Sequence, residues 1–133
     1  MSIMIAQIKT SSENRERVTR LTRKFGLGAE NVIARIAIAY SLKSGQKFLP
    51  TEVKDAGGKE YSRSVLFGNL YPLYVAMICS HYNIKSTDKD LARYLKMHLD
   101  DGLELIDKDV KDNPNLVGFD YLFDKIEEGL RDL

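Results

Sequence analysis

A chain of 133 residues that is 44% hydrophobic and 29% charged, with a formal net charge of +1, has the length and composition of a single folded domain (residues 1–133) and lies outside the disordered range. One cysteine, Cys79, excludes an internal disulfide, and two histidines, His81 and His98, leave no ligand set for a structural zinc. No apolar run approaches the roughly 18 residues of a membrane span, and MSIMIAQIK lacks the form of a secretory signal, so a cytoplasmic location is expected.

Taken in chain order, residues 3–10 predict a short strand. Ser11, Ser12, Glu13 and Asn14 then supply N-cap chemistry for a helix over 13–25, in which Val18, Leu21 and Phe25 share one face. Gly26-Leu27-Gly28 ends it. The next helix, 29–44, is almost entirely small and apolar, with Arg35 as its only interior charge. A helix apolar on most sides must be buried on most sides, in the core or between subunits. Arg35, embedded there, is expected to pair with a carboxylate or cap a neighbouring element. Residues 46–70 read as irregular, with Pro50, Gly57-Gly58 and Gly68-Asn69 as turns and Tyr61, Val65, Leu66 and Phe67 as short strand pieces. Pro72 suits the first turn of a helix over 71–82, burying Leu73, Tyr74, Ala76, Met77 and Ile78. Ser86-Thr87 predict the cap of a helix over 88–107. Beyond Asn113-Pro114, Phe119, Phe123, Ile126 and Leu130 space out an amphipathic helix over 116–132.

The near-zero net charge conceals a polarity. Residues 1–47 hold nine basic against three acidic side chains, a net +6; residues 86–133 hold seven against thirteen, a net −6. The basic end suits a polyanion, and the acidic end would be repelled by one.

Chemistry is thinly provided. Cys79 sits in the apolar run VAMICSH and reads as a small core residue, and His98 lies on an apolar stripe as a packed, hydrogen-bonded histidine. Asp100, Glu104 and Asp107 share a helix face, and with Asp101, Asp109 and Asp112 they present the one grouping from which a metal-dependent nickase is built. An acidic helix face is more often simply solvated, and no metal site or cofactor is expected. Gly26-Leu27-Gly28 lacks the spacing of a phosphate loop, whereas Gly57-Gly58-Lys59 offers a turn with a lysine. A strand followed by two helices is also the order of a ribbon-helix-helix half, which makes a DNA-binding regulator a further alternative.

Three stretches together resemble the DndE family, the small component of the bacterial system that replaces a non-bridging phosphate oxygen of DNA with sulfur. They are RKFGLGAENVIARIAIAYSL, GKEYSRSVLFG and YLKMHLDDGLELI, which fall in order between residues 17 and 106. The resemblance implies a mainly α, compact helical domain with a ribbon-helix-helix-like core and short strand pieces. It also implies a homotetramer that binds double-stranded DNA with a preference for nicks and works beside the other subunits of the sulfur-modification complex. On this reading the chain is not an enzyme but a DNA-binding accessory subunit. The cations expected at DNA are Lys9, Arg17, Arg20, Arg23, Lys24, Lys43, Lys47, Lys59 and Arg63. The oligomer interface is expected at Ile33, Ile36, Ala37 and Tyr40 of the apolar helix.

Overall fold

A computed structural model describes residues 5–113 together with Tyr121 and Asp124. The protein is mainly helical, as expected. The helix read over 116–132 lies, apart from those two residues, outside the described residues.

Strand β1 (Gln7–Lys9) leads into helix α1 (Ser12–Lys24). Ser11 occupies the N-cap position, but its side chain makes no capping bond. Two distant carboxylates serve instead: Asp100 Oδ1 accepts from the Ser11 backbone N–H at 3.0 Å, and Asp55 Oδ2 from that of Ser12 at 2.9 Å. Val18 and Leu21 are fully buried and Phe25 nearly so. Gly26, at φ +63°, closes the helix: its N–H reaches Arg23 and that of Leu27 reaches Thr22, the paired bonds of a Schellman end.

Helix α2 (Glu30–Lys43) buries Ile33, Ala34, Ala37, Ile38, Ser41 and Leu42. Strand β2 (Glu60–Ser62) then pairs antiparallel with β1, with Ile8 opposite Tyr61. The strand–helix–helix order expected at the start of the chain is therefore present, but its ribbon is completed within the same chain. The Gly57-Gly58 turn makes this possible. A methyl carbon on Gly58 would lie 2.1 Å from Thr10 Oγ1 and 2.2 Å from the Ser11 carbonyl oxygen, so only glycine fits.

Residues 65–67 do not form the expected strand. Val65 and Leu66 belong to the short helix α3 (Arg63–Leu66), and Phe67 is its C-cap. Ser62 Oγ caps its start by accepting the Val65 N–H at 3.2 Å. At its end Arg35 Nη1 donates to the Leu66 carbonyl at 2.9 Å, the capping role read for Arg35 from sequence. A 3-10 turn, Gly68–Leu70, continues into α4 (Tyr71–Tyr82), whose bounds match the expected ones. Its burial does not: only Tyr74 and Ile78 are buried, and Leu73 is 54% exposed.

Helix α5 (Leu91–Asp112) is the longest, roughly 33 Å at 1.5 Å per residue. It begins at the Asp90 cap rather than at Ser86-Thr87 and runs five residues past the expected end. In its acidic last turns Asp107 pairs with Arg17 and Arg20 of α1, and Asp109 accepts a hydrogen bond from Tyr40 OH. Leu95, Leu99, Leu103 and Ile106 form its buried face and lie, with the α2 residues, in one continuous core. At the crossing Gly102 sits directly on the backbone of Ala37. The apolar surplus of α2 is thus absorbed inside the chain. Of the four α2 residues expected in or beside an oligomer interface, Ile33 and Ala37 are fully buried within the chain, and Ile36 and Tyr40 are half-buried.

Candidate nucleic-acid interface

The first basic helix is tied to the acidic end of the last. Asp107, 2% exposed, receives Arg17 Nε at 2.9 Å, Arg20 Nη1 at 2.8 Å and Nη2 at 3.1 Å, and Lys111 Nζ at 3.3 Å. Burial alone would raise its carboxyl. The hydrogen bonds from Arg20, Arg17 and Lys111 outweigh that and hold it well below the usual carboxylate range. The same contact with Asp107 raises Arg20. Arg17 also donates to Asn14 Oδ1 at 2.6 Å, and Arg20 Nε to Glu16 at 3.1 Å. Two cations expected at DNA are therefore committed within the fold, with Arg17 side-chain exposure at 20% and Arg20 at 40%.

The other seven fall into groups. Arg23 and Lys24 are exposed in the last turn of α1, beside the Gly26–Gly28 turn that leads into α2. Lys59 lies near the same end of α2, its Nζ 3.7 Å from Glu30. Glu30 also accepts Tyr61 OH at 2.7 Å and Thr19 Oγ1 at 2.8 Å. Burial raises this carboxyl, while Tyr61, Thr19 and Lys59 together bring it below its ordinary value. Lys9 is exposed on β1, opposite Glu60. Arg63 starts α3 and lies over the Tyr71 ring, 5.3 Å from its centroid. Lys43 and Lys47 are exposed at the far end of α2, roughly 20 Å along its axis from Arg23 and Lys24. One chain thus brings Arg23, Lys24 and Lys59 to one end of α2 and sets Lys43 and Lys47 apart.

The GKEYSRSVLFG stretch is held by a cluster with no signal in the sequence. Lys96 is 9% exposed and donates to the Lys9 carbonyl at 2.8 Å, the Asp55 carbonyl at 2.8 Å and Asp100 Oδ2 at 2.9 Å. Asn14 Nδ2 adds a 2.7 Å bond to Asp100 Oδ1. These bonds fix the end of β1, the 53–58 loop and the start of α1 to α5, which sets where Lys59 emerges.

Of the six acidic residues singled out for a metal, five are engaged by cations or hydroxyls, and Asp112 is exposed. Asp100 binds Lys96, Asp107 binds two arginines and a lysine, and Glu104 pairs with Lys54. Asp101 accepts Ser41 Oγ at 2.6 Å, and Asp109 accepts Tyr40 OH and Tyr121 OH, each at 2.8 Å. Among the described residues, no group of three or more His, Cys, Asp or Glu side chains is arranged to hold a metal ion.

His98 is fully buried and hydrogen-bonded, as read from sequence. Its Nδ1 is 2.8 Å from Ser41 Oγ, and its Nε2 is 2.6 Å from Tyr82 OH. Ser41 gives its proton to Asp101, so Nδ1 carries the hydrogen and Nε2 accepts from tyrosine. That chain is satisfied only by neutral imidazole. Burial, with His81 nearby, lowers its pKa to about 4. Cys79 is half-buried rather than buried, with its thiol raised by burial.

No helix among the described residues is long and apolar enough to cross a membrane. The family model for "DNA sulphur modification protein DndE" matches residues 7–113. No curated protein matches the chain. Among solved structures, it is similar to the crystal structure of DndE from Escherichia coli B7A, described as involved in DNA phosphorothioation modification. The two share 17% identity and a TM-score of 0.63, over 78% of this chain and 99% of that one. A glycine-to-lysine mutant of DndE is similar at 17% identity and a TM-score of 0.64, with the same coverage.

Proposed function

This chain belongs to the DndE family of DNA sulphur modification proteins, and on that premise we propose that it is a non-catalytic accessory subunit of a DNA phosphorothioation complex. In this reading it binds double-stranded DNA with a preference for nicks, as a cytoplasmic homotetramer beside the other subunits. The observation that carries it is the disposition of charge. Asp100, Asp101, Glu104, Asp107 and Asp109 are turned onto partners within the chain, while Arg23 and Lys24 stand exposed at the α1–α2 turn with Lys59 near the same end of α2.

Those three cations lead the proposed DNA surface, with Lys9 and Arg63 flanking them. Arg17 and Arg20, held by Asp107, contribute from fixed positions. Lys43 and Lys47 would contact a separate stretch of duplex or the duplex held by a neighbouring copy. Several copies of a weak patch acting on one duplex reach useful affinity through multivalency. A nicked duplex bends at lower cost than an intact one, so a protein that bends its DNA selects it.

The test is binding to nicked and intact duplexes across a salt series. Arg23→Ala/Lys24→Ala is expected to weaken binding and flatten the slope of log affinity against log salt, by roughly 0.9 for each phosphate no longer neutralised. Lys85→Ala/Lys89→Ala, on the exposed turn before α5, is expected to do little. Equal losses from the two pairs would move the DNA surface elsewhere. Metal-dependent strand cleavage by the purified chain would overturn the non-catalytic reading.

A further inference from the structure

From Ser64 to Ile84 the sequence runs 21 residues without one Asp, Glu, Lys or Arg, in a chain that is 29% charged. These residues form α3, the 3-10 turn and α4. Such a stretch in a domain of this size is ordinarily core. Here it lies largely at the surface. Val65 is 56% exposed, Leu70 43% and Leu73 54%, three of the four large hydrophobic side chains most exposed among the described residues. Along α4, Ala76 and Ser80 are exposed as well and Met77 is half-buried. Leu70, Leu73 and Met77 follow one another at helical spacing, and Ala76 and Ser80 are four apart, so large and small side chains share one outward stripe. The inward side of α4 is occupied by Tyr74 and Ile78, which belong to the core.

We infer that this α3–α4 face is where a second copy of the chain docks, with α4 packing antiparallel against α4 of its neighbour about a two-fold axis. The inference rests on the homo-oligomer part of the reading above and gives it a location. Charge selects the occupant. A face without formal charge repels nothing when set against itself, and so meets the self-complementarity that a two-fold contact requires. The cores of homodimer contacts are, in the same way, depleted of charge and more apolar than the rest of a surface. The pattern of sizes fits too. In an antiparallel pair crossing near Ala76 and Met77, Leu73 of one copy lies over the Ser80 end of the other, and Ala76 lets the backbones approach. DNA is disfavoured at this face, since no cation between Arg63 and Lys85 is present to meet a phosphate. The α2 residues expected at the interface are excluded by geometry where they are already buried, as Ile33 and Ala37 are.

The test compares the mass of the full-length protein in solution with that of Leu73→Asp, by sedimentation and light scattering at micromolar concentration. Leu73 is exposed, so the substitution leaves the fold intact, which circular dichroism checks. The expected result is an oligomer whose mass falls at least two-fold in the variant. As a second measurement, Ala76→Cys in a Cys79→Ser background is expected to give covalent dimers with a short bis-maleimide, and a control cysteine at Lys89 is not. An oligomer whose mass is unchanged in Leu73→Asp and that fails to cross-link through residue 76 overturns this face but keeps the homo-oligomer. A wild-type monomer overturns both, as does a monomer that binds only a different protein through Leu73.

Discussion

Replacing Gly102 with alanine sets two effects of opposite sign against each other. In a helix interior the change ordinarily stabilises, by roughly 0.5–1 kcal/mol, because alanine loses less backbone freedom on folding. At this position the new methyl carbon would sit 1.8 Å from the carbonyl oxygen of Ala37, 2.3 Å from its carbonyl carbon and 2.7 Å from its Cα. Ordinary contact begins near 3.4 Å, so α2 and α5 must separate by about 1.6 Å locally. The atoms in the way are backbone and have no side chain to swing aside. Such a gap runs through a seam whose members, Ile33, Leu99, Leu103 and Ile106, are all fully buried. A radial gap of roughly 0.5–1 Å already forfeits a quarter to a half of each contact. Overpacking of this kind costs about 1–3 kcal/mol, at times more. Because backbone is in the way, the cost falls at the upper end of that range, and after the helical gain the expected net loss is about 2 kcal/mol, which for a domain of this length lowers Tm by roughly 5–10 °C. Thermal and urea unfolding, followed by circular dichroism, measure it. A variant as stable as the wild type, or more so, would refute the close α2–α5 crossing.

Three further expectations concern stability. Lys96→Met leaves Asp100 as a buried charge and two carbonyls without their donor, and should cost about 3–5 kcal/mol; adding Asp100→Asn should recover part of it, as read from urea midpoints. His98 is held neutral, with a folded pKa of about 4 against an ordinary 6.5. The unfolded chain therefore binds more protons between those values, so Tm should fall as pH drops from about 6.5 to about 4, and His98→Gln should flatten that limb. Asp107 is depressed below its ordinary 3.8, so its contribution is present above that pH and lost only below it. A pH scan should resolve the two limbs, the lower one absent in Asp107→Asn.

Much of the architecture is legible in the sequence because it is written locally. The Ser11 position, the Gly26-Leu27-Gly28 stop and Pro72 each mark a boundary through the conformation of a single residue, and α1, α2 and α4 lie where those marks place them. Val65, Leu66 and Phe67 mislead because branched and aromatic side chains suit a strand; the helix they occupy is set by the Ser62 cap and by Arg35, 31 residues away. The end of α5 is hidden for the same reason: carboxylates in the last turns of a helix oppose its dipole, and the arginines that pair with Asp107 lie 87 and 90 residues earlier. For the candidate site, the basic residues of α1 are evident from composition. That Arg17 and Arg20 face Asp107 while Arg23 and Lys24 face outward is not, since a helical repeat places residues on a face without saying what the face meets. The exposure of Leu73 escapes for that reason also: α4 is apolar all round, and its sequence does not say which side the core takes.

The ties between the first and last helices bear on how the chain is made. The groups of α5 that hold α1 are Asp100 and Asp107, which answer Ser11, Asn14, Arg17 and Arg20 across separations of 86–90 residues. At roughly 5–20 residues per second, a ribosome delivers them on the order of 5–20 s after the arginines emerge. Until then the basic helix has formed none of its bonds to α5, and Glu16 within the same helix is the carboxylate that Arg20 meets. Contacts of this range slow a folding reaction compared with a bundle of sequential neighbours. The polarity of the chain, positive first and negative last, is in this sense also a schedule: the nascent protein is a polycation that approaches neutrality only as its last third is synthesised.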